Sequence, residues 1–132
     1  MKARLIAAVA AVMLMSGAAA YAHHSFAATY VEDKTTKVEG KIIQFLFRNP
    51  HSFLHVEAPD EDGVMQKWVI EWGGAGALQG QGVTRDTLKV GDSVIVTGNP
   101  GRDPADHRMR IVTLKRTTDG FTWGTRAGER VE

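Results

Sequence analysis

Apolar and polar side chains alternate with a period of two along most of the chain after residue 35, and turn residues recur at short intervals. Alternation of this kind is typical of β-strands that bury one face. A glycine-rich stretch over residues 73–88 interrupts it and predicts a loop with a short helix. The alternating segments predict five strands and a short sixth, over residues 36–47, 51–58, 66–72, 93–98, 108–116 and 121–123.

The order of these elements is three strands, a helical connection and two further strands. This is the order of an OB-like barrel, a small five-stranded Greek-key barrel that is all β apart from its helix. The run Leu88-Lys89-Val90-Gly91-Asp92 favours the barrel, because it fits a tight turn into a core strand. An open meander or a half-sandwich would give a similar pattern.

Aromatic side chains are concentrated on the first three strands. Phe45 and Phe53 lie opposite the residues assigned to the buried faces, and His55 shares the face of Phe53. Such a surface would bind an apolar ligand or a partner protein. Alternatively, a β-bulge at Gly40 would shift the alternation and bury the aromatic side chains.

The N-terminal residues have the pattern of a secretory signal peptide. Lys2 and Arg4 precede an apolar run over residues 5–15, and Ala20-Tyr21-Ala22 forms an A-x-A cleavage site. Cleavage after Ala22 would release the mature protein outside the cytoplasm, which predicts a periplasmic location. The apolar run is too short to span a bilayer, so no membrane span is expected in the mature form.

Removal of 22 residues from 132 leaves 110, which predicts a single domain over residues 23–132. The 16 basic and 15 acidic residues become 14 and 15 without the leader, so the mature net charge is −1 with neutral histidines. This balance argues against a nucleic-acid partner, which requires a concentrated basic surface. The chain has no cysteine, which excludes disulfides and thiolate metal sites.

All five histidines follow the predicted cleavage site. The α-amine and imidazole of His23, with His24 beside it, could chelate a metal ion, and copper is favoured because the donors are nitrogens without sulfur. A third ligand is expected from His51 or His107, since both lie in loops that border the usual ligand face of the barrel. His51 could instead cap the turn at Asn49-Pro50 through a ring nitrogen.

The chain resembles a family of small exported bacterial proteins that is known as a domain of unknown function. The resemblance is carried by His23-His24-Ser25-Phe26 directly after the leader and by Asn49-Pro50-His51. It implies an OB-like exported domain and transfers no catalytic residue. The combination of His, Met and Trp is also loosely similar to periplasmic copper-binding OB proteins of metal efflux systems.

No complete catalytic motif is present, so the expected function is a non-enzymatic exported binding module. The first hypothesis is transition-metal binding, with copper favoured, through His23, His24, His51 and His107. The alternative is a protein-interaction or small apolar-ligand module that uses Phe45, Phe53 and His55, with a periplasmic redox enzyme as a candidate partner.

Overall fold

In the computed structural model, residues 1–2 and 26–124 are described. The leader, the cleavage site after Ala22, His23 and His24 fall outside this part of the chain, so they remain predictions. The described elements follow the predicted order. Strands β1–β3 span Thr36–Leu46, Phe53–Pro59 and Met65–Glu71; helix α1 spans Ala75–Gly80; strands β4–β6 span Ser93–Pro100, Arg108–Arg116 and Thr122–Trp123, with a 3₁₀ turn at Pro104–Asp106 before β5.

The sheet is a closed, mixed barrel of five strands with β6 added beside β5. Its order is β3-β2-β1-β4-β5-β6, and a parallel pairing of β3 with β5 closes it. All other neighbours are antiparallel. The predicted OB-like barrel with a helix between strands 3 and 4 is therefore confirmed, and the closing pair excludes an open meander or a half-sandwich.

The barrel interior is filled by the side chains that alternate inward from each strand. They exclude water from one contiguous apolar core, which is the main stabilising contribution in a domain without disulfides. The fully buried strand residues of this core are Val38, Ile42, Leu54, Val56, Ala58, Ile70, Val94, Val96, Met109 and Leu114.

The irregularity in β1 lies between Ile42 and Gln44 rather than at Gly40. Downstream of this bulge the alternation is reversed, so Phe45 packs against the core while Leu46 pairs with Phe53 on the outer face. Phe45 and Phe53 therefore do not share one surface. The alternative interpretation, in which a β-bulge buries the aromatic side chains, thus holds for Phe45, although the bulge is not at Gly40.

Gly40 is not the site of the bulge and has a different role. A Cβ atom at this position would lie 2.1 Å from the backbone oxygen of Glu57 on β2. Only glycine permits so close an approach of the two strands. The residue thus allows tight pairing at the start of the barrel instead of breaking the strand.

Candidate functional site

The segment that precedes β1 folds back over the outer surface of β3 and β5. Tyr30 forms an isolated bridge with Gly101, and its side chain is buried. Arg102 Nε donates a hydrogen bond of 2.7 Å to the backbone oxygen of Ala27. These contacts place Tyr30 and Phe26 beside Glu71, the last residue of β3.

Glu71 is an outward-facing residue that this segment buries. Its carboxylate accepts hydrogen bonds from Tyr30 Oη at Oε2 and from His51 Nδ1 at Oε1. Arg108 Nη2 lies 4.0 Å from Oε2 and 3.5 Å from the phenol oxygen. A buried carboxylate is stable only when its oxygens are satisfied in this way.

Burial is the largest cause that raises the pKa of Tyr30 far above its usual value of 10, followed by the hydrogen bond to Glu71. The phenol therefore acts as a neutral donor throughout the physiological range. This fixes the carboxylate of Glu71 in position, and with it the imidazole that the carboxylate holds.

His51 stands in the turn before β2, directly after the cis peptide bond between Asn49 and Pro50. Because a carboxylate oxygen only accepts, Nδ1 of His51 carries the hydrogen, and neutral imidazole then has its lone pair on Nε2. The side chain is 41% exposed. The ring of Phe26 stacks on it with centroids 5.8 Å apart and an interplanar angle of 17°.

A cavity of about 300 Å³ opens beside this imidazole. Its polar side contains His51, Glu71 and Arg110, whose Cζ lies 4.0 Å from the centroid of the Phe26 ring. Its apolar side is formed by residues from the end of β3, from α1 and from β6, chiefly Trp72, Leu78 and Trp123. The indoles of the two tryptophans are 5.0 Å apart in an edge-to-face contact.

His107 lies away from this group. Its ring packs edge-to-face on Trp68, with centroids 5.2 Å apart, and its Nε2 lies 3.8 Å from Asp60 Oδ2. Trp68 is three residues before Glu71 on β3, roughly 10 Å along a strand. The structure thus does not bring His51 and His107 together.

The remaining predicted residues lie on the outer face of β2 or pack inside. Phe53 lies beneath Arg48, whose Cζ is 5.2 Å from its ring centroid. His55 is half-buried, and burial, together with Lys67 and Arg48, lowers its pKa. Phe45 contacts the core, so the proposed aromatic face is reduced to Phe53 and its neighbours.

Sequence reasoning did not single out Phe26, Tyr30, Arg108 or Arg110 as site residues. The Tyr30 hydroxyl meets a carboxylate 41 residues away, and Arg108 meets that hydroxyl across 78 residues. Glu71 has no distinguishing local signal either, since it alternates outward on β3 together with Lys67. Among the described residues, no group of three or more His, Cys, Asp or Glu side chains could hold a metal ion.

In the same part of the chain, no helix is both long and apolar enough to cross a membrane. No curated protein and no solved structure matches the sequence. A family model does match, over residues 10–110, and that span contains His51, Glu71 and the residues that surround them, whereas Trp123 of the cavity wall lies beyond it. The chain therefore belongs to a family of unknown function, DUF6152.

Proposed function

We propose that the protein is an exported binding module for a transition-metal ion, with copper(II) favoured. The ligands are Nε2 of His51 and the α-amine and imidazole groups that His23 and His24 supply once the leader is removed. The observation that carries this proposal is the state of His51, whose Nδ1 is held by a buried carboxylate while the ring remains 41% exposed.

A carboxylate that orients an imidazole is the usual outer support of a metal-binding histidine. It fixes the tautomer and the direction of the ring. Tyr30 and Arg108 in turn hold Glu71 from the other side. The arrangement supports a ligand whose geometry exists before the metal arrives.

The distance to the N-terminal histidines supports the same assignment. Phe26 stacks on the His51 ring, and His23 is only three residues before Phe26. Three residues span at most about 10 Å. The amine and imidazole groups are thus tethered within about 10 Å of Phe26, a length that allows them to reach Nε2.

His107 is not part of this proposal, because Trp68 and Asp60 occupy its surroundings. Copper remains the favoured metal because the donors are nitrogens, the chain has no cysteine, and copper(II) has the highest affinity of the divalent first-row ions for such sites. A signal peptide and a periplasmic location complete the proposal, since the amine ligand exists only after cleavage.

The test is calorimetric titration of copper(II) and zinc(II) into protein that begins at His23. One-to-one binding should weaken strongly when one glycine precedes His23 and when His51 is changed to Gln. The matched controls are His55→Gln and His107→Gln, which alter histidines outside the site. Equal affinity in the glycine-extended protein, or equal losses in all three His→Gln variants, would refute the proposal.

A further inference from the structure

The cavity beside His51 has a chemical asymmetry that metal binding does not explain. One side presents the indoles of Trp72 and Trp123 with the side chain of Leu78, and the other presents Arg110 and the His51–Glu71 pair. Small-molecule sites commonly combine mostly apolar walls with a few convergent polar groups. Its volume of about 300 Å³ is at the lower limit of such sites, which suits a ligand of one ring.

The charges at the polar side favour an anion. Both oxygens of Glu71 are occupied, by His51 and Tyr30, and Arg108 lies 4.0 Å away. The carboxylate is thus already compensated and offers little to a cationic ligand. Arg110 remains as the cation at the cavity wall.

Within residues 26–124, the ion-pair partner of Arg110 is Glu32, and this pair is weak. Nη1 of Arg110 lies 3.7 Å from Oε1 of Glu32, and the two side chains are 40% and 50% exposed. Ion pairs as exposed as this one contribute little and exchange readily. Phe26 holds the guanidinium from beneath through a cation–π contact, which reduces the entropy lost when a ligand binds.

We propose that this cavity binds a small aromatic carboxylate, with the ring against Trp72 and Trp123 and the carboxylate on the guanidinium of Arg110. A planar carboxylate matches the two parallel N–H donors of an arginine. The aromatic walls favour a flat apolar body through stacked or edge-to-face contacts. His51 borders both sites, but the carboxylate of the ligand contacts Arg110 and needs no metal ion, so this proposal goes beyond the metal-binding function.

The test uses benzoate as the probe and protein purified from the periplasmic fraction after export, in the presence of a chelator. Two-dimensional ¹H–¹⁵N spectra follow the three indole N–H signals during the titration. Benzoate should shift the signals of Trp72 and Trp123, whereas that of Trp68, which donates to the backbone oxygen of Ala58 at 3.3 Å, should stay in place. Benzylamine, which has the same ring with opposite charge, should bind at least tenfold more weakly.

Two pairs of variants separate the cavity from the rest of the surface. Arg110→Gln should weaken benzoate binding about tenfold or more, whereas Arg48→Gln, on the outer face over Phe53, should not. Ala77→Phe fills the cavity from an exposed position of α1 and should abolish binding, whereas Gln79→Phe on the same helix should not.

Three results would each overturn the proposal. The first is an equal shift with benzylamine, and the second is no shift of either tryptophan signal at about 10 mM benzoate, a concentration that would reveal even weak binding. The third is an equal effect of the two variants in either pair. Because the chelator removes metal throughout, failure here would leave the metal titration unaffected.

Discussion

The phenol of Tyr30 is the least expected support of the site, and its replacement by phenylalanine gives a direct measure of that support. The ring is 1% exposed and stays in place in Tyr30→Phe, so almost no apolar contact is lost. What disappears is the hydroxyl that donates to Glu71 Oε2. Nη2 of Arg108, the other donor beside this oxygen in the described part of the chain, is 4.0 Å away and beyond hydrogen-bond distance.

The carboxylate thus keeps one hydrogen bond, from His51, and leaves one oxygen unsatisfied in a side chain that is 12% exposed. A hydrogen bond to a charged group contributes about 1.5–3 kcal/mol to the free energy of unfolding. For a domain of about 100 residues, a loss of about 2 kcal/mol lowers Tm by on the order of 10 °C.

The assay is urea and thermal unfolding at pH 7, followed by tryptophan fluorescence. A double-mutant cycle with Glu71→Gln isolates the pair, because the two substitutions should be far from additive if the hydroxyl acts through this carboxylate. A loss below about 0.5 kcal/mol, or additive effects in the cycle, would refute the reasoning.

The same variant tests the direction of the Tyr30 pKa. Burial and Glu71 raise the pKa of the folded phenol well above 10, the value in the unfolded chain. The associated stability is therefore fully present below pH 10 and is lost as the pH rises through the folded pKa. Wild-type protein should lose stability above pH 10 more steeply than Tyr30→Phe does.

Four further substitutions test the barrel and its side-chain contacts. Gly40→Ala should lower the free energy of unfolding by more than about 2 kcal/mol, because its Cβ would lie 2.1 Å from a backbone oxygen. Gly80→Ala, which has open space around it, should leave the free energy of unfolding in urea unchanged or raise it slightly. Burial and two neighbouring cations lower the pKa of His55, so its stability contribution is present above pH 6.5 and is lost as the pH falls toward the folded pKa; His55→Gln should flatten this part of the pH profile of unfolding. Arg116→Met should lower the free energy of unfolding by about 1–3 kcal/mol in the same assay, because Nη1 donates to Asp92 Oδ2 at 3.1 Å from a side chain only 17% exposed.

The strands were predictable because the signals that define them are local. Alternation over β2 assigned Leu54 and Val56 to the interior, and both are fully buried. The turn residues before β4 likewise predicted that the strand begins at Ser93, where it does begin. The position of the bulge was not predictable in the same way. A glycine in a strand marks a close approach of two backbones as readily as a bulge, and Gly40 allows the close approach of β1 and β2.

The site was less accessible to sequence reasoning, because closure of the barrel creates it. Proximity of His51 to a ligand face could be inferred from loop position. The hydrogen bond from His51 to the carboxylate of Glu71 could not be inferred, since Glu71 has the alternation of an ordinary outward-facing residue. Its burial depends on Tyr30, which lies 41 residues earlier in the chain and packs against its carboxylate.

The parallel pairing of β3 with β5 joins Val69 to Arg108 and Glu71 to Arg110, and it is also the last seam of the barrel. Any ligand held between the end of β3 and β5 therefore recognises the closed barrel and has no comparable affinity for an open one. Its binding energy acts directly on that seam and stabilises it by an amount that grows with the logarithm of ligand concentration. Occupancy would then be recorded as slower hydrogen exchange of the amide of Val69, which donates to the backbone oxygen of His107 at 2.9 Å.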